Sequence, residues 1–223
     1  MTSRIQPGSF DAVIFDLDGV IVDSEPRHER AFMQVFEEMG FGEGRHGMDF
    51  SAYVGRSDRA LWEDFMAKHR PPQPIEELIA WKQNRVVALL REERPIYPGL
   101  RELVKELGTH FRLAVASGSV HAVIEAVLEL AGLREAFEVV ASVQDVRRSK
   151  PAPDVFLDAA ARLQVEPRRC CVIEDSLAGI RAGRDAGMTV IAVPHSYPAD
   201  RLLDAHHVVR GLDEIAPLLL GRR

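Results

Sequence analysis

The chain has 223 residues, 46% hydrophobic and 28% charged, so it is long enough to bury a substantial core and too apolar to be intrinsically disordered. Its net charge of −6 argues against a generally basic surface for nucleic acid or membranes, although it allows a local anion site. No apolar run reaches the ~20 residues of a membrane span and the N-terminus lacks a secretory apolar stretch, so we expect a soluble cytoplasmic protein.

Short apolar runs that end in polar residues alternate with helical patterns, which is typical of a parallel sheet flanked by helices. We therefore predict an α/β fold with a Rossmann-like, three-layer core. Strands are predicted at residues 12–15, 112–117, 138–142, 170–174 and 189–193, with a weaker candidate near residue 207.

The two cysteines are adjacent within the predicted strand at residues 170–174. Strand alternation directs the side chains of Cys170 and Cys171 to opposite faces of the sheet. This arrangement excludes a disulfide framework and a cysteine metal site, so we expect both cysteines to be ordinary strand residues.

One connection is far longer than the single helix that a parallel crossover needs. Roughly seventy residues separate the first strand from the next unit, and apolar residues recur in this interval at helical spacing. Ser24, followed by Pro26, is typical of a helix N-cap. We predict a helical cap domain at residues 24–95, inserted into a core formed by residues 1–23 and 96–223. At this position the insertion can act as a lid over the carboxyl ends of the strands, where open α/β sheets bind ligands.

Polar residues follow several of the predicted strands. Because the carboxyl ends of neighbouring parallel strands lie at one edge of a sheet, side chains that are distant in sequence can converge there. In chain order they are Asp16 and Asp18 after the first strand, Ser117, Gly118 and Ser119 after the second, Lys150 beyond the third, and Glu174 and Asp175 at the fourth.

Four acids and one lysine need further positive charge, because two carboxylates ~4 Å apart repel by about 4 kcal/mol at an effective dielectric constant of ~20. The all-oxygen donor set favours Mg²⁺, which is usually shared between a few carboxylates and a substrate phosphate. An EF-hand calcium loop is the alternative for Asp-x-Asp-Gly, but that loop needs its glycine in sixth position between helices. Gly19 is in fourth position and follows a strand.

Four motifs spread over nearly the whole chain, DLDGV, ASGS, SKPAPD and IEDSLAGIRAGRDAG, resemble in type and order those of the haloacid dehalogenase superfamily. The chain is similar to the beta-phosphoglucomutase-like phosphatases, the branch with a helical cap after the first motif. The resemblance implies a core of five or six strands, a cap that opens and closes, and a Mg²⁺-dependent phosphoric monoester hydrolase.

The resemblance also implies roles for individual residues. Asp16 is expected to be the nucleophile and to form an aspartyl phosphate, and Asp18 the general acid and base, which requires a carboxyl group that can be protonated near the operating pH. The expected ligands of Mg²⁺ are Asp16, the Asp18 carbonyl and Asp175, with Glu174 near or in the shell. Ser117, Gly118, Ser119 and Lys150 are expected to bind the phosphoryl group.

In the cap, the resemblance implies substrate contacts from His28, Gly55, Arg56, Ser57 and Lys82. Two positions depart from the mutases of this branch. Asp58 stands where they tend to have arginine, and Ser24 stands where they have threonine. Both departures favour a hydrolase over a mutase.

We therefore predict a phosphatase for a small phosphorylated metabolite: a sugar, polyol or short organic-acid phosphate. A phosphosugar mutase of the beta-phosphoglucomutase type is the alternative, and it would have to protect the aspartyl phosphate from water. A non-enzymatic binding scaffold would have no reason to keep Asp16, Asp18, Lys150 and Asp175 together. Neither nucleic acid nor membrane partners are expected, and the predicted state is a monomer or weak dimer.

Overall fold

The structure is a computed structural model that describes residue 5 and residues 8–42, 44–54 and 56–222. Gly55, one of the predicted substrate contacts, lies outside the described residues. Among the residues described, no helix combines the length and the apolar character that crossing a bilayer requires.

The described residues form one six-stranded parallel sheet with the strand order β3-β2-β1-β4-β5-β6. Its strands are β1 Ala12–Phe15, β2 Arg112–Ser117, β3 Val139–Ser142, β4 Cys170–Glu174, β5 Thr189–Ala192 and β6 His207–Val208. Most strand residues are buried, as expected for parallel strands that helices cover on both faces. The predicted fold is confirmed. The weak candidate near residue 207 is a strand of two residues, and β3 and β5 are each one residue shorter than predicted.

The helices divide between the sheet and the segment that follows β1. They are α1 Glu25–Glu38, α2 Asp58–His69, α3 Ile75–Glu93, α4 Leu100–Leu107, α5 His121–Ala131, α6 Asp154–Arg162, α7 Leu177–Asp185 and α8 Ile215–Leu220. Two separate apolar clusters involve the sheet, one containing Cys170 and the other Cys171. The two cysteines therefore point to opposite faces of β4, which confirms the prediction from strand alternation.

The helices α1, α2 and α3 bury an apolar cluster of their own. Its centre is aromatic: the ring of Phe36 stacks on that of Phe65 at 4.5 Å and meets the edge of Trp62 at 5.3 Å. Residues 70–74 connect α2 to α3. The two ends of this segment lie next to each other: the Asp23 N–H donates to the Pro95 carbonyl at 2.9 Å. The domain boundaries at residues 24 and 95 stay a prediction.

Ser24 precedes α1, as predicted, but it does not cap the helix with its side chain. Its hydroxyl instead donates a hydrogen bond of 2.5 Å to Oδ1 of Asp18. An N-cap side chain accepts a hydrogen bond from the helix backbone, whereas this hydroxyl donates a charge-assisted hydrogen bond to a buried carboxylate. A tertiary contact thus replaces the expected cap.

The strand order places β1 in the middle of the sheet, between β2 and β4. Phe15, the last residue of β1, pairs with Val115 on one side and with Ile173 on the other. The residues that follow these three pairing positions therefore leave the sheet at one edge and at one level. This is the position where α/β folds with this strand order bind ligands.

Candidate active site

A cleft of about 330 Å³ lies between this sheet edge and the helices α1 and α2. Ser117, Glu174 and Asp175 are buried at the same edge. Lys82 is also buried, behind the wall that α1 and α2 form. The predicted site residues that line the cleft are Asp16, Asp18, His28, Arg56, Ser57, Gly118, Ser119 and Lys150.

Lys150 joins two of the acids. Its Nζ lies 2.7 Å from Oδ1 of Asp16 and donates a hydrogen bond of 2.7 Å to Oε1 of Glu174. Burial lowers the pKa of Lys150, but the carboxylates of Asp16 and Glu174 outweigh burial and raise it above its usual value. The lysine is therefore a permanent cation at the floor of the cleft.

Glu174 is fully engaged by the protein. Oε1 accepts from Lys150, while Oε2 accepts from the backbone N–H groups of Asp175 and Ser176 at 2.8 and 2.7 Å and from the Ser176 hydroxyl at 3.0 Å. Gly179 leaves room for this carboxylate, because a Cβ at that position would lie 1.6 Å from Oε1. Glu174 thus anchors Lys150 and the turn after β4, and it has little capacity left for a metal ion.

Two carboxylate oxygens at the floor have no hydrogen-bond donor although they are buried: Oδ1 of Asp16, whose contact with Lys150 lacks hydrogen-bond alignment, and Oδ2 of Asp175. Asp16, Glu174 and Asp175 each offer an oxygen within 4.8 Å of the others. Buried carboxylate oxygens without a hydrogen-bond donor are costly, and a divalent cation satisfies them. The donor set therefore fits a divalent cation held mainly by Asp16 and Asp175.

Gly19 shapes this cradle. It has a φ of +74°, and a Cβ there would lie 1.7 Å from Oδ2 of Asp175. The position thus demands glycine twice, for its left-handed backbone and for the space that Asp175 occupies. The Gly19 carbonyl is also 2.7 Å from Nδ1 of His195, whose ring stacks on Tyr97 at 4.1 Å.

The pKa values reflect the crowding of acids. Burial raises the pKa of Asp16 well above its usual range, Lys150 opposes this rise, and the charge of Glu174 adds to it. Burial also raises the pKa of Asp175, again with help from Glu174. In contrast, Glu174 has a lowered pKa because Lys150 and the hydrogen bonds from Ser176 outweigh burial. The carboxylates of Asp16 and Asp175 are therefore not fully balanced by nearby positive charge, and a cation would bind there.

Asp18 differs from the other acids. Its Oδ1 accepts from Ser24 and lies 3.1 Å from Nε2 of His28, and its Oδ2 accepts from the Ser119 hydroxyl at 2.9 Å. Burial raises its pKa, but His28 and these hydrogen bonds outweigh burial, so that the pKa of Asp18 is lowered below its usual value. The expectation of a carboxyl group that is readily protonated is therefore wrong for this arrangement, because donors surround the anion.

His28 is held between acids. Burial and the nearby Lys82 lower its pKa, but the carboxylate of Asp18 and a hydrogen bond with Asp58 outweigh them and raise the pKa of His28 to about 9. Lys82 contacts the other ring nitrogen, Nδ1, and donates a hydrogen bond of 2.5 Å to Oδ1 of Asp58. The predicted cap residues His28 and Lys82 thus form one charged cluster with Asp18 and Asp58.

The loop after β2 faces the cap. The Ser119 N–H donates to the buried Ser117 hydroxyl at 2.9 Å, so Ser117 helps to fix the orientation of this loop. A Cβ on Gly118 would lie 3.7 Å from the Arg56 carbonyl. On the cap side, the Ser57 hydroxyl donates to Oγ of Ser149 at 3.3 Å. The cap therefore lies against the core, over the cleft.

The cleft-lining residues that were not predicted as site residues include three acids, Glu25, Glu29 and Asp58. Asp58, which departs from the mutase pattern, lines the cleft and pairs with Lys82. Glu25, the first residue of α1, also lines the cleft. Lys82 lies between Leu78 and Val86 at helical spacing, on the buried face of α3. A lysine at such a position is expected to be buried and to need a charged partner, so this spacing is the signal in the sequence.

Comparisons with known proteins match a family and several relatives over most of the chain. The model of the family described as haloacid dehalogenase-like hydrolase matches residues 10–187. The chain is 37% identical over 195 residues to hexitol phosphatase B of Escherichia coli K12, a match that covers 84% of this chain and 85% of that protein.

Two solved structures share the fold over nearly their whole length. One is CbbY from Rhodobacter sphaeroides with xylulose-1,5-bisphosphate, at a TM-score of 0.84 and 28% identity, covering 94% of this chain and 99% of that one. The other is beta-phosphoglucomutase from Clostridium difficile, at a TM-score of 0.80 and 26% identity, covering 92% and 93%.

Proposed function

This chain belongs to the haloacid dehalogenase-like hydrolase family, and from that membership we propose that it is a Mg²⁺-dependent phosphatase for a small sugar or polyol phosphate. The observation that carries the proposal is the meeting of Asp16, Asp18, Lys150 and Asp175 at one sheet edge beneath a cleft of about 330 Å³. The likeness to hexitol phosphatase B supports a polyol or sugar phosphate over other phosphate esters.

We assign Asp16 as the nucleophile. Its carboxylate oxygen attacks phosphorus, the bond from phosphorus to the substrate's alcohol oxygen breaks, and an aspartyl phosphate forms; water then attacks phosphorus, releases inorganic phosphate and restores the carboxylate. Lys150, 2.7 Å from Oδ1, supports this role because its charge opposes the rise in pKa that burial gives Asp16. The lysine therefore favours the ionised form that attack requires, and a bound cation would favour it further.

Asp18 would protonate the leaving alcohol oxygen and later take a proton from the attacking water. In the described arrangement its contacts with Ser24, His28 and Ser119 hold it as an anion. We propose that the arriving substrate separates His28 from Asp18. Burial raises the pKa of Asp18 and His28 is the largest opposing influence, so loss of the imidazolium partner raises the pKa and lets Asp18 act as an acid.

Asp16 and Asp175, with the backbone carbonyl of Asp18, would hold Mg²⁺, while Glu174 supports the site through Lys150. When bound, Mg²⁺ would neutralise negative charge on the phosphoryl oxygens during transfer. Ser119 and the backbone N–H of Gly118 would donate to the same oxygens. Ser117 would act by orienting this loop.

The test is inorganic phosphate release from a panel of sugar, polyol and short organic-acid phosphates, with Mg²⁺ and with EDTA. Release from one or a few sugar or polyol phosphates that EDTA abolishes is the expected result. Release only from organic-acid phosphates would contradict the substrate class. Release that continues in EDTA would contradict the role of Mg²⁺.

The likeness to beta-phosphoglucomutase makes a phosphosugar mutase the second candidate. A mutase returns the phosphoryl group to a sugar instead of water, so it would convert glucose 1-phosphate to glucose 6-phosphate when a bisphosphate primer is present. Isomerisation that exceeds phosphate release would favour this candidate over the hydrolase.

A further inference from the structure

The charged cluster of Asp18, His28, Asp58 and Lys82 contains a lysine that the substrate cannot reach. Lys82 has no exposed surface, and its Nζ donates to Oδ1 of Asp58 at 2.5 Å. The ammonium group also lies 4.6 Å from the centre of the Phe32 ring. Asp58 lines the cleft whereas Lys82 does not. The carboxylate of Asp58 therefore stands between the cation and the space where a substrate binds.

Asp58 is an anion in this position. Burial raises its pKa, but Lys82 and His28 outweigh burial and lower the pKa of Asp58 to about 2. Its Oδ1 is 3.8 Å from Nδ1 of His28, so it also faces the imidazole that contacts Asp18. Both nearby cations are thus matched by carboxylates before any substrate arrives.

The rest of the cap-side lining carries further acids. Glu25 and Glu29 of α1 line the cleft on the same side as Asp58. Among the described residues that line the cleft, the cationic side chains besides His28 are Lys150, which contacts acids at the floor, and Arg56, which lies over the Tyr53 ring at 5.4 Å. The half of the cleft that receives the alcohol part of a substrate is therefore lined by more negative than positive charge.

We propose that Asp58 is a specificity residue: by occupying Lys82, it restricts the enzyme to phosphomonoesters whose alcohol part is uncharged and rich in hydroxyl groups, and it disfavours bisphosphates. This inference rests on the proposed phosphatase function and adds a substrate class and a residue to it. Carboxylates accept hydrogen bonds from hydroxyl groups, whereas a second phosphate at the same wall meets like charge.

The first experiment compares fructose 1-phosphate with fructose 1,6-bisphosphate, which differ by one phosphate. We expect kcat/KM of the wild-type enzyme, from phosphate release, to favour the monophosphate by about tenfold or more, since like charges at a binding site are costly. Asp58→Asn should raise kcat/KM for the bisphosphate relative to the monophosphate by about tenfold, because a carboxylate no longer balances the buried charge of Lys82, which then attracts an anion at this wall. An unchanged ratio would overturn the proposal.

The double variant Asp58→Asn/Lys82→Met separates charge release from a general loosening of the cap. If Lys82 is the freed cation, the double variant loses the gain for the bisphosphate. A gain that persists in the double variant would contradict the assignment. Asp64→Asn is the matched control: Asp64 lies on the same helix and accepts from the Tyr53 hydroxyl at 2.6 Å, but it does not line the cleft. We expect it to leave the ratio unchanged.

A binding measurement distinguishes failure of this proposal from failure of the phosphatase function. In the Asp16→Asn background, calorimetric binding of the two fructose phosphates reports selectivity without turnover. We expect the monophosphate to bind more tightly, and Asp16→Asn/Asp58→Asn to reduce this preference by about tenfold. Equal affinities in both backgrounds would overturn the inference about Asp58. Absence of phosphate release by the wild type would count against the phosphatase function alone.

Discussion

The Nζ atom of Lys150 lies 2.7 Å from Oδ1 of Asp16, and both side chains are almost completely buried. The two residues are far apart in the chain, and they meet because the loop beyond β3 reaches the end of β1 at the centre of the sheet. The lysine opposes the effect of burial on the pKa of Asp16, so one contact contributes to stability and to the ionisation state of the proposed nucleophile.

Replacement of Lys150 by methionine should therefore destabilise the fold as well as the site. Asp16 and Glu174 would lose their shared cation in a buried setting, and we expect a loss of about 3–5 kcal/mol in the free energy of unfolding. Urea denaturation measures this quantity. Lys105→Met, at an exposed lysine of α4, is the control and should change it by less than about 0.5 kcal/mol. Equal effects of the two substitutions would show that the buried ion pair has no special role.

Asp175→Asn should abolish the response of the protein to Mg²⁺ without destabilising the metal-free fold. Burial and Glu174 disfavour the Asp175 anion, so an amide of the same shape relieves repulsion. Thermal unfolding with and without Mg²⁺ provides the measurement. We expect Mg²⁺ to raise Tm of the wild type but not of the variant, with the metal-free variant melting at or above the metal-free wild type. A wild-type response in Asp175→Asn would remove this residue from the metal site.

Gly19 and Gly187 form a matched pair for testing the cradle of Asp175. Both have a positive φ, +74° and +75°, but a Cβ on Gly187 meets nothing within 4 Å. Gly187→Ala should cost about 1–2 kcal/mol in unfolding free energy, from backbone strain alone. Gly19→Ala should cost more and should also lower the affinity for Mg²⁺, measured by calorimetry, because the methyl group displaces Asp175. Equal Mg²⁺ affinity in the two variants would argue against the cradle.

The raised pKa of His28 predicts a pH-dependent contribution to stability. Its pKa rises from 6.5 to about 9 in the folded state, since Asp18 and Asp58 outweigh burial and Lys82. The folded state thus binds this proton more tightly, so the stabilisation is fully present below about pH 6.5 and is lost as the pH rises through 9.

His28→Gln should accordingly flatten the dependence of unfolding free energy on pH between 6.5 and 9. Denaturant titrations at several pH values across this window measure the slope for each protein. His110→Gln, at an exposed histidine before β2, controls for loss of a histidine and should keep the wild-type slope. A wild-type slope in His28→Gln would show that this imidazole does not carry the effect.

The sequence was sufficient to predict the sheet, the inserted helices and the acids at the sheet edge. This worked because buried parallel strands are apolar runs with polar ends, and such ends converge in any sheet of this topology. The motif residues Asp16, Lys150 and Asp175 therefore could be located before their contacts were known.

Contacts between side chains of different helices could not be predicted in the same way. The partner of Lys82 lies 24 residues away on another helix, and only packing of α2 on α3 brings the two together. Ser24 is a second example: local sequence rules predict that it caps α1, whereas its hydroxyl donates a hydrogen bond to Asp18. The ionisation of Asp18 depends on these contacts, which explains why its lowered pKa was not expected.

The proposed Mg²⁺-dependent phosphatase function depends most on Asp16 as the nucleophile. The most direct test compares inorganic phosphate release by the wild type and by Asp16→Asn from hexitol and sugar monophosphates with Mg²⁺, with thermal unfolding of both proteins to show that each is folded. We expect steady release by the wild type and at least a roughly thousandfold lower kcat in the folded variant, because the amide cannot form the covalent intermediate. Substantial release by folded Asp16→Asn would contradict the account.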